Sequence, residues 1–432
     1  MRNKTFIIKT FGCKLNFSES STISRLLSEH GYILLKDNFS SVDFYIINSC
    51  AVTEIAEKKC KQVIRHIKKH YPQSKIILLG CFSSLDNAFP VADQVDLMLG
   101  SSNKMEILTE IDNLFAENYK HKLIRASDEE AFFSSYSIHE RTRSFLKIQD
   151  GCDYFCTYCT VPYARGKSRS DTINNIIRYA KEIVANNVKE IVLSGVNIGD
   201  FKTDKGENFL DLLTELQKVE HLYRIRISSI EPNLLTEDII NLVLNSDKIL
   251  PHFHIPLQSG SNEILSKMKR RYTRELFADK VYEIKAKMPY ACIVADVIVG
   301  FPGETEALFE ETCQFISSLP LSMLHVFPYS KRPNTVAANM DDHLPNTCKN
   351  KRTSLLIELS KQKKYLFYNE NDQQISKVLI ENKIENEYLS GFTENYIRVK
   401  VPYDNAIINE IKTVKIQKAD ENGICHAELL EL

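Results

Sequence analysis

Three closely spaced cysteines constrain this chain more than any other feature of its sequence. Cys152, Cys156 and Cys159 follow a CxxxCxxC spacing, and no fourth cysteine or histidine follows nearby. Thiolates select iron–sulfur clusters or zinc, and a structural zinc site is normally closed by four protein ligands. A cubane iron–sulfur cluster held by three cysteines keeps one iron open to a substrate. These residues, the CxxxCxxC set, therefore favour a reaction centre over a structural metal site.

The cysteines as a group favour metal or catalytic chemistry over disulfides, because the chain shows no export or membrane signal. It has no apolar stretch of about eighteen residues, so we expect no membrane-spanning segment. Its first residues lack the core and cleavage site of a signal peptide. We therefore expect a cytoplasmic protein, in which eleven cysteines would rarely form disulfides. The 432 residues are enough for two or three domains.

The first part of the chain alternates strand-like apolar runs with helical patterns. This alternation predicts a parallel sheet with helices on its faces, and we assign residues 1–118 to a Rossmann-like α/β domain. The predicted strands are residues 5–10, 32–35, 43–48, 75–79 and 95–99. Polar residues without clear periodicity, from about 118 to 140, predict a linker.

A second alternating array predicts a partial (β/α)6 barrel over residues 138–368. Its six predicted strands are residues 144–149, 190–194, 223–228, 252–256, 292–299 and 324–328. Loops after the strands carry the chemistry of such barrels, and the CxxxCxxC set directly follows the first strand. Residues 369–432 contain only short alternating segments, with a predicted turn at Gly391. They predict a small C-terminal β-barrel.

A second group of cysteines follows the strands of the first domain. Cys13 follows the first predicted strand, Cys50 the third and Cys81 the fourth. Because ligands bind outside the carboxyl ends of parallel strands, we expect these residues, the strand-end set, to converge on one ligand. Gly12 and Gly80 precede two of them and permit close approach of the backbone. The alternative is that each cysteine is a small buried apolar residue.

The sequence contains two basic runs although its net charge is only −1. They lie within residues 58–69 and residues 267–274. Each run alone is most simply a solvated helix face. Together with a C-terminal β-barrel, the two runs are consistent with an RNA-binding surface.

Longer segments around both cysteine sets resemble the radical S-adenosylmethionine (SAM) methylthiotransferases, which insert sulfur and a methyl group at an unactivated carbon. The CxxxCxxC set, with Tyr158 before its last cysteine, is similar to the general radical SAM signature. In the first domain the resemblance covers TFGCKLNFSES, INSCAVTE and LLGCFSS. In the second it covers DGCDYFCTYCTVPYARGKSRS, GVNIGDF, SSIEP, HIPLQSGS and DVIVGFPGET. The C-terminal barrel resembles the family's RNA-binding TRAM domain.

The resemblance implies two 4Fe–4S clusters and SAM as cofactors. The CxxxCxxC set would hold the cluster that binds SAM and releases a 5′-deoxyadenosyl radical. The strand-end set would hold a second cluster that presents the inserted sulfur. Supporting SAM contacts are expected where the barrel strands end, from Gly195, Asn197, Gly199, Glu231, Gln258 and Ser259.

Within this family, PYARGKSRS and GVNIGDF look most like the branch that methylthiolates N-threonylcarbamoyladenosine at position 37 of tRNA. The partners implied by this resemblance are a tRNA anticodon loop and a reduced electron donor of the flavodoxin or ferredoxin type. The sequence does not indicate the sulfur donor.

Three alternatives remain open at this point. Two are the branches that act on isopentenyladenosine at position 37 of tRNA or on an aspartate of a ribosomal protein. They share the cysteines and the fold, so only substrate contacts separate them. The third is a protein without enzymatic activity that senses redox state through its clusters while it binds RNA. Cleavage of SAM to 5′-deoxyadenosine would distinguish an enzyme from such a sensor.

Overall fold

The computed structural model describes residues 3–36, 39–51, 54–116, 119, 122–124, 132–420 and 423–430. The chain forms two compact units. The first comprises Met1–Ser137, Phe145–Asp171 and Ser330–Ala338, and the second comprises Ile138–Ser144, Thr172–Tyr329 and Asn339–Leu432. The first unit contains both the CxxxCxxC set and the N-terminal residues. The three domains that the sequence predicts, residues 1–118, 138–368 and 369–432, therefore stay a prediction. Within the described ranges, no helix is long and apolar enough to cross a membrane.

The first unit contains the parallel sheet that the alternating pattern predicts. Its strands are β1 (Thr5–Thr10), β2 (Ile33–Leu34), β3 (Phe44–Ser49), β4 (Lys75–Gly80), β5 (Leu97–Leu99) and β6 (Lys122–Ile124). Their order is β2-β1-β3-β4-β5-β6, and all pairings are parallel. The predicted linker is wrong at β6, because three residues are too few for periodicity to reveal a strand.

Helices cover both faces of this sheet. The helices of the first unit are α1 (Lys14–Glu29), α2 (Glu54–His70), α3 (Phe89–Ala92), α4 (Ile107–Leu114) and α5 (Val161–Arg165). Successive strand residues point to opposite faces, so Tyr45 packs in one core with Ile64 of α2. Its neighbour Phe44 packs in a second core with Ile23 of α1. With both faces covered, the carboxyl edge of the sheet is left for chemistry.

The CxxxCxxC set lies in a loop of the first unit that is closed at its base by two short strands. The remaining strands around it are β7 (Ser135–Tyr136), β8 (Arg143–Lys147), β9 (Gln149–Asp150) and β10 (Arg169–Ser170). β7 pairs with β8, and β9 pairs with β10, both antiparallel. The second pairing places Asp150 opposite Arg169. The loop between β9 and β10 therefore starts and ends at fixed points.

The second unit carries parallel strands separated by helices, which confirms the predicted barrel class. Its strands are β11 (Glu190–Ser194), β12 (Arg224–Ile227), β13 (His252–His254), β14 (Cys292–Val299) and β15 (Met323–Pro328). Its helices are α6 (Ile173–Ala185), α7 (Phe209–Leu216), α8 (Glu237–Asn245), α9 (Asn262–Lys267), α10 (Arg274–Lys287), α11 (Glu306–Ser318) and α12 (Asn346–Glu370). Four of them begin after a threonine whose hydroxyl accepts a hydrogen bond from the first turn: Thr172, Thr236, Thr273 and Thr305.

Buried charged side chains lie at the start of the barrel strands β11 and β12. Glu190 of β11 accepts hydrogen bonds from Arg226 at 2.8 Å and pairs with Arg224 at 3.0 Å. Burial alone would raise the pKa of Glu190, but Arg226, Arg224 and Arg143 lower it to about 2. Arg224 also donates to the carbonyl of Phe392, 3.1 Å away. This ion cluster therefore joins the barrel strands to the C-terminal residues.

The C-terminal residues form the small closed barrel that the sequence predicts. Its strands are β16 (Ile375–Glu385), β17 (Tyr388–Thr393), β18 (Arg398–Pro402), β19 (Ile411–Ala419) and β20 (Cys425–Leu429), in the order β16-β17-β18-β20-β19. The predicted turn at Gly391 is wrong, since this glycine lies inside β17. A Cβ there would come within 2.5 Å of the Leu379 carbonyl, so glycine permits close strand approach. The turn lies at Asn386 and Glu387, both with positive φ.

Candidate functional site

The strand-end set lies at the carboxyl edge of three neighbouring strands. Cys13 follows β1 and caps α1, while Cys50 and Cys81 directly follow β3 and β4. Gly12 has φ +104°, and a Cβ on it would lie 2.7 Å from the Cys50 Sγ. Gly80 has φ +110°, and a Cβ on it would meet the Ser49 carbonyl at 2.4 Å. Both glycines therefore keep the backbone close to the thiols, in a conformation that other residues rarely adopt.

Arg165 connects the loop of the CxxxCxxC set to the strand-end set. Its Nε donates to the Cys81 Sγ at 3.1 Å, and the side chain is almost fully buried. Its Nη1 donates to Glu19 at 3.0 Å and to Asp150 at 2.9 Å, and its Nη2 donates to Asn16 at 2.6 Å. Burial alone would lower the pKa of Arg165, but Asp150, Cys81 and Glu19 raise it well above its usual value.

The buried charges around Arg165 do not balance. Glu19 also pairs with Lys104 and with Lys147, and Lys147 pairs with Asp150 at 2.6 Å. Arg169 is mostly buried and also pairs with Asp150, at 3.4 Å, so four cations face only two carboxylates. Positive charge is therefore in excess, and Arg165 lies against a cysteine sulfur. An anionic group with thiolate ligands fits this position, as an iron–sulfur cluster would.

The CxxxCxxC set is held by its own short loop. The Cys152 amide donates to the Gly166 carbonyl at 3.1 Å, and the Cys159 amide donates to the Cys156 carbonyl at 3.0 Å. The Val161 amide, at the start of α5, donates to the Cys159 Sγ at 3.4 Å. An amide donor to sulfur is one of the features that tune iron–sulfur potentials. Three thiols with an amide donor and no fourth protein ligand in the motif fit a cluster that keeps one iron open.

The predicted SAM contacts follow the barrel strands, but three of these residues make contacts within the protein. Glu231 forms an ion pair with Arg270. The Ser259 hydroxyl lies 3.3 Å from that of Thr312, and the side chain is buried. A Cβ at Gly199 would meet the Leu234 side chain at 2.7 Å, so this glycine permits close packing against the loop after β12. These three residues therefore have structural partners of their own.

The other predicted contacts lie at the ends of β11 and β13. Gly195 is half-buried and Asn197 is buried directly after β11. Gln258 has φ +63°, and its backbone amide donates to the backbone carbonyl of Asp296 at 2.7 Å. Among the described residues, its buried Oε1 has no hydrogen-bond donor. This oxygen is therefore available to accept a hydrogen bond from a ligand.

Sequence reasoning missed two histidines that surround Asp296 inside the barrel. His254 Nε2 and His325 Nδ1 lie 2.7 and 3.2 Å from the Asp296 Oδ1. Burial alone would raise the pKa of Asp296, but these histidines hold it well below its usual value. The three ligand-capable atoms lie within 4.8 Å of one another, so the group could also hold a metal ion. No sequence signal could have found this group, because Asp296 and His325 meet through the register of two parallel strands.

The barrel and the CxxxCxxC set together define the radical SAM class of enzymes. The model of the Radical SAM superfamily matches residues 146–316, and that of Uncharacterized protein family UPF0004 matches residues 5–100. The structure is similar to that of the radical S-adenosylmethionine methyltransferase TsrM from Kitasatospora setae, with a TM-score of 0.58 and 13% identity. This likeness covers 77% of the chain and 74% of TsrM, and it supports the fold alone.

Full-length relatives narrow the class to one family. The chain is 39% identical to the threonylcarbamoyladenosine tRNA methylthiotransferase MtaB of Bacillus subtilis, over 96% of the chain and 94% of the relative. It is 35% identical to MtaB of Thermotoga maritima, over 99% and 98%. It is 32% identical to the tRNA-2-methylthio-N(6)-dimethylallyladenosine synthase of Carboxydothermus hydrogenoformans, over 99% of both. The chain therefore belongs to the radical SAM methylthiotransferase family, an enzyme family that uses SAM and 4Fe–4S clusters.

Proposed function

We propose that this enzyme converts N-threonylcarbamoyladenosine at position 37 of tRNA to its 2-methylthio derivative. The observation that carries the proposal is the full-length similarity to MtaB, together with a strand-end set in contact with an uncompensated buried cation. Although MtaB of Chlamydia pneumoniae is 31% identical, the relatives named for dimethylallyladenosine, at 32–33% identity, are less similar than MtaB of Bacillus subtilis and of Thermotoga maritima, at 39% and 35%. They define the second candidate substrate, which shares the same chemistry.

In this proposal each cysteine set holds one 4Fe–4S cluster. When bound, the clusters and SAM supply the radical, the inserted sulfur and the methyl group. The residues of the chain bind and orient these groups. Arg165 fixes Cys81 and offsets negative charge at the strand-end set, while the Val161 amide does the same for Cys159. Gln258 offers a buried acceptor to SAM at the end of β13.

The proposal extends to the partners of the enzyme. The substrate is the anticodon loop of tRNA, and the C-terminal barrel contributes to RNA binding in the manner of a TRAM domain. A reduced protein of the flavodoxin or ferredoxin type supplies electrons. The enzyme then acts in the cytoplasm, where its substrate and reductant are found.

Mass spectrometry of nucleosides from tRNA tests the substrate. A strain that lacks this protein should lose the 2-methylthio form of threonylcarbamoyladenosine and accumulate the unmodified precursor. Loss of the 2-methylthio form of isopentenyladenosine instead would assign the second candidate, and an unchanged nucleoside profile would contradict both.

A separate assay tests whether the protein is an enzyme rather than a redox sensor. The reduced, anaerobically reconstituted protein should cleave SAM to 5′-deoxyadenosine. The matched control replaces Cys156 with alanine and should abolish this product. Absence of the product from wild-type protein with confirmed clusters would refute radical chemistry.

A further inference from the structure

Helix α2 presents a stripe of positive charge to solvent. Lys58, Lys61, Arg65 and Lys68 recur at intervals of three or four residues, which places them along one line of the helix. Lys69 lies beside the same line. The side of the helix turned away from the stripe packs into the core of the first unit through Cys60 and Ile67. We call these five cations the α2 stripe.

The α2 stripe has few acidic partners. Its helix contains two acidic residues: Glu54 pairs with Lys58 at 2.7 Å, and Glu57 is buried and pairs with Arg332. Within the described part of the chain, the other four cations of the stripe form no ion pair. Their charge is therefore not compensated by the protein, although the whole chain is nearly neutral.

The second basic run differs from the stripe in this respect. Lys267 pairs with Glu263 at 2.7 Å, and Arg274 pairs with Glu275 at 3.0 Å. Arg270 is buried and pairs with Glu231. The sequence predicts both runs as equal candidates for RNA binding, but the structure uses much of the second run in internal ion pairs. Only the first run keeps most of its charge for a partner.

The position of α2 links the stripe to the reaction site. The helix begins at Glu54, shortly after Cys50 of the strand-end set at the carboxyl edge of the sheet. With a rise of 1.5 Å per residue, the stripe begins about 6 Å from the start of the helix and is about 16 Å long. Successive phosphates of a nucleic-acid strand lie about 3.4 Å apart along a duplex axis, so this length matches several phosphates.

We propose that the α2 stripe binds the phosphate backbone of the substrate tRNA and so directs it to the strand-end set. The inference rests on the proposed function, because it takes tRNA as the substrate. Phosphate contacts of this kind supply affinity and register without reading sequence. The stripe therefore determines how tightly tRNA binds and contributes nothing to the chemical step.

The test measures the binding of tRNA to holoenzyme over a series of salt concentrations. The stripe variant is Lys61→Gln, Arg65→Gln, Lys68→Gln and Lys69→Gln combined. Each phosphate contact contributes about 0.9 to the slope of log affinity against log salt for a duplex. Removing four contacts should therefore flatten the slope by about 3 to 4 and weaken binding at least tenfold at low salt. Arg65, Lys68 and Lys69 are exposed, so their replacement should leave iron content and thermal unfolding unchanged. Lys61 is half-buried, with its Nζ 5.3 Å from the centroid of the Phe82 ring, so its replacement should slightly lower the temperature of thermal unfolding.

A matched control removes four charges from the second run. It combines Lys267→Gln, Lys269→Gln, Arg271→Gln and Arg274→Gln, and it should change the slope by less than about 1. A stripe variant with the slope and affinity of the wild type would overturn the inference, as would an equal loss in the control.

Turnover separates the failure of this inference from the failure of the proposed function. At tRNA concentrations that saturate the stripe variant, the rate of methylthio product formation should equal that of the wild type. Wild-type enzyme that binds tRNA but forms no methylthio nucleoside contradicts the proposed function, while the salt slopes still decide the role of the stripe.

Discussion

Replacement of Arg165 by glutamine should make the cluster of the strand-end set harder to reduce. The guanidinium donates to the Cys81 Sγ from 3.1 Å inside a buried network. Two unit charges about 4 Å apart interact by about 4 kcal/mol at an effective dielectric constant of 20. Because the added electron spreads over the whole cluster, we take half of this value, about 2 kcal/mol. At about 59 mV per 1.4 kcal/mol, the midpoint potential should fall by about 90 mV.

The assay isolates one cluster before the potential is measured. Replacing Cys152, Cys156 and Cys159 with alanine leaves only the strand-end set, whose reduction is followed by electron paramagnetic resonance at defined potentials. Arg165→Lys is the matched control, since it keeps the positive charge and should shift the potential by much less. An Arg165→Gln protein that binds its full iron and keeps the wild-type potential would refute the reasoning.

Stability measurements on the same variants test the buried network. Removing one partner of a buried ion pair costs about 3 to 5 kcal/mol. Without Arg165, three cations still face the two carboxylates, so the Arg165→Gln protein should still fold. Urea unfolding that shows no loss of stability would indicate that the network is not formed in solution.

Two further predictions concern backbone strain and pH. Gly80→Ala should lower the free energy of unfolding by about 3 kcal/mol or more, because its φ is +110° and the new Cβ would lie 2.4 Å from the Ser49 carbonyl. The control Gly206→Ala, at φ +84° with no atom within 4 Å, should cost only about 1 to 2 kcal/mol in urea unfolding. Glu190 has a lowered pKa of about 2, so its stabilisation of about 3 kcal/mol is complete above pH 4.5 and is lost as pH falls towards 2. Glu190→Gln should therefore have a lower free energy of unfolding than the wild type at pH 6, and the difference should be smaller at pH 3. A difference that does not change with pH would contradict the assigned pKa.

Local patterns in the sequence predict the elements that depend on short-range periodicity. The first five strands of the first sheet, the helix over Glu54–His70 and the barrel strands Glu190–Ser194 and Cys292–Val299 lie where the alternating pattern predicts them. The placement of each cysteine after a strand follows from the same periodicity. These features are local, because hydrophobic spacing within one element determines them.

Contacts between distant residues are what the sequence does not reveal. Arg165 and Glu19 are 146 residues apart, and neither position carries a pattern that names its partner. The histidines around Asp296 depend on the register of parallel strands, which crossover helices set rather than any hairpin turn. For the same reason the two basic runs look alike in sequence but differ in structure. Ion pairs involve most cations of the second run and few of the first.

The central claim is that two sets of three cysteines each hold a 4Fe–4S cluster, and metal analysis tests it most directly. Anaerobically reconstituted wild-type protein should contain about eight iron atoms per chain. Combined replacement of Cys13, Cys50 and Cys81 by alanine should leave about four, with SAM still cleaved to 5′-deoxyadenosine. Wild-type protein that holds zinc, or only four iron atoms after full reconstitution, would contradict the account.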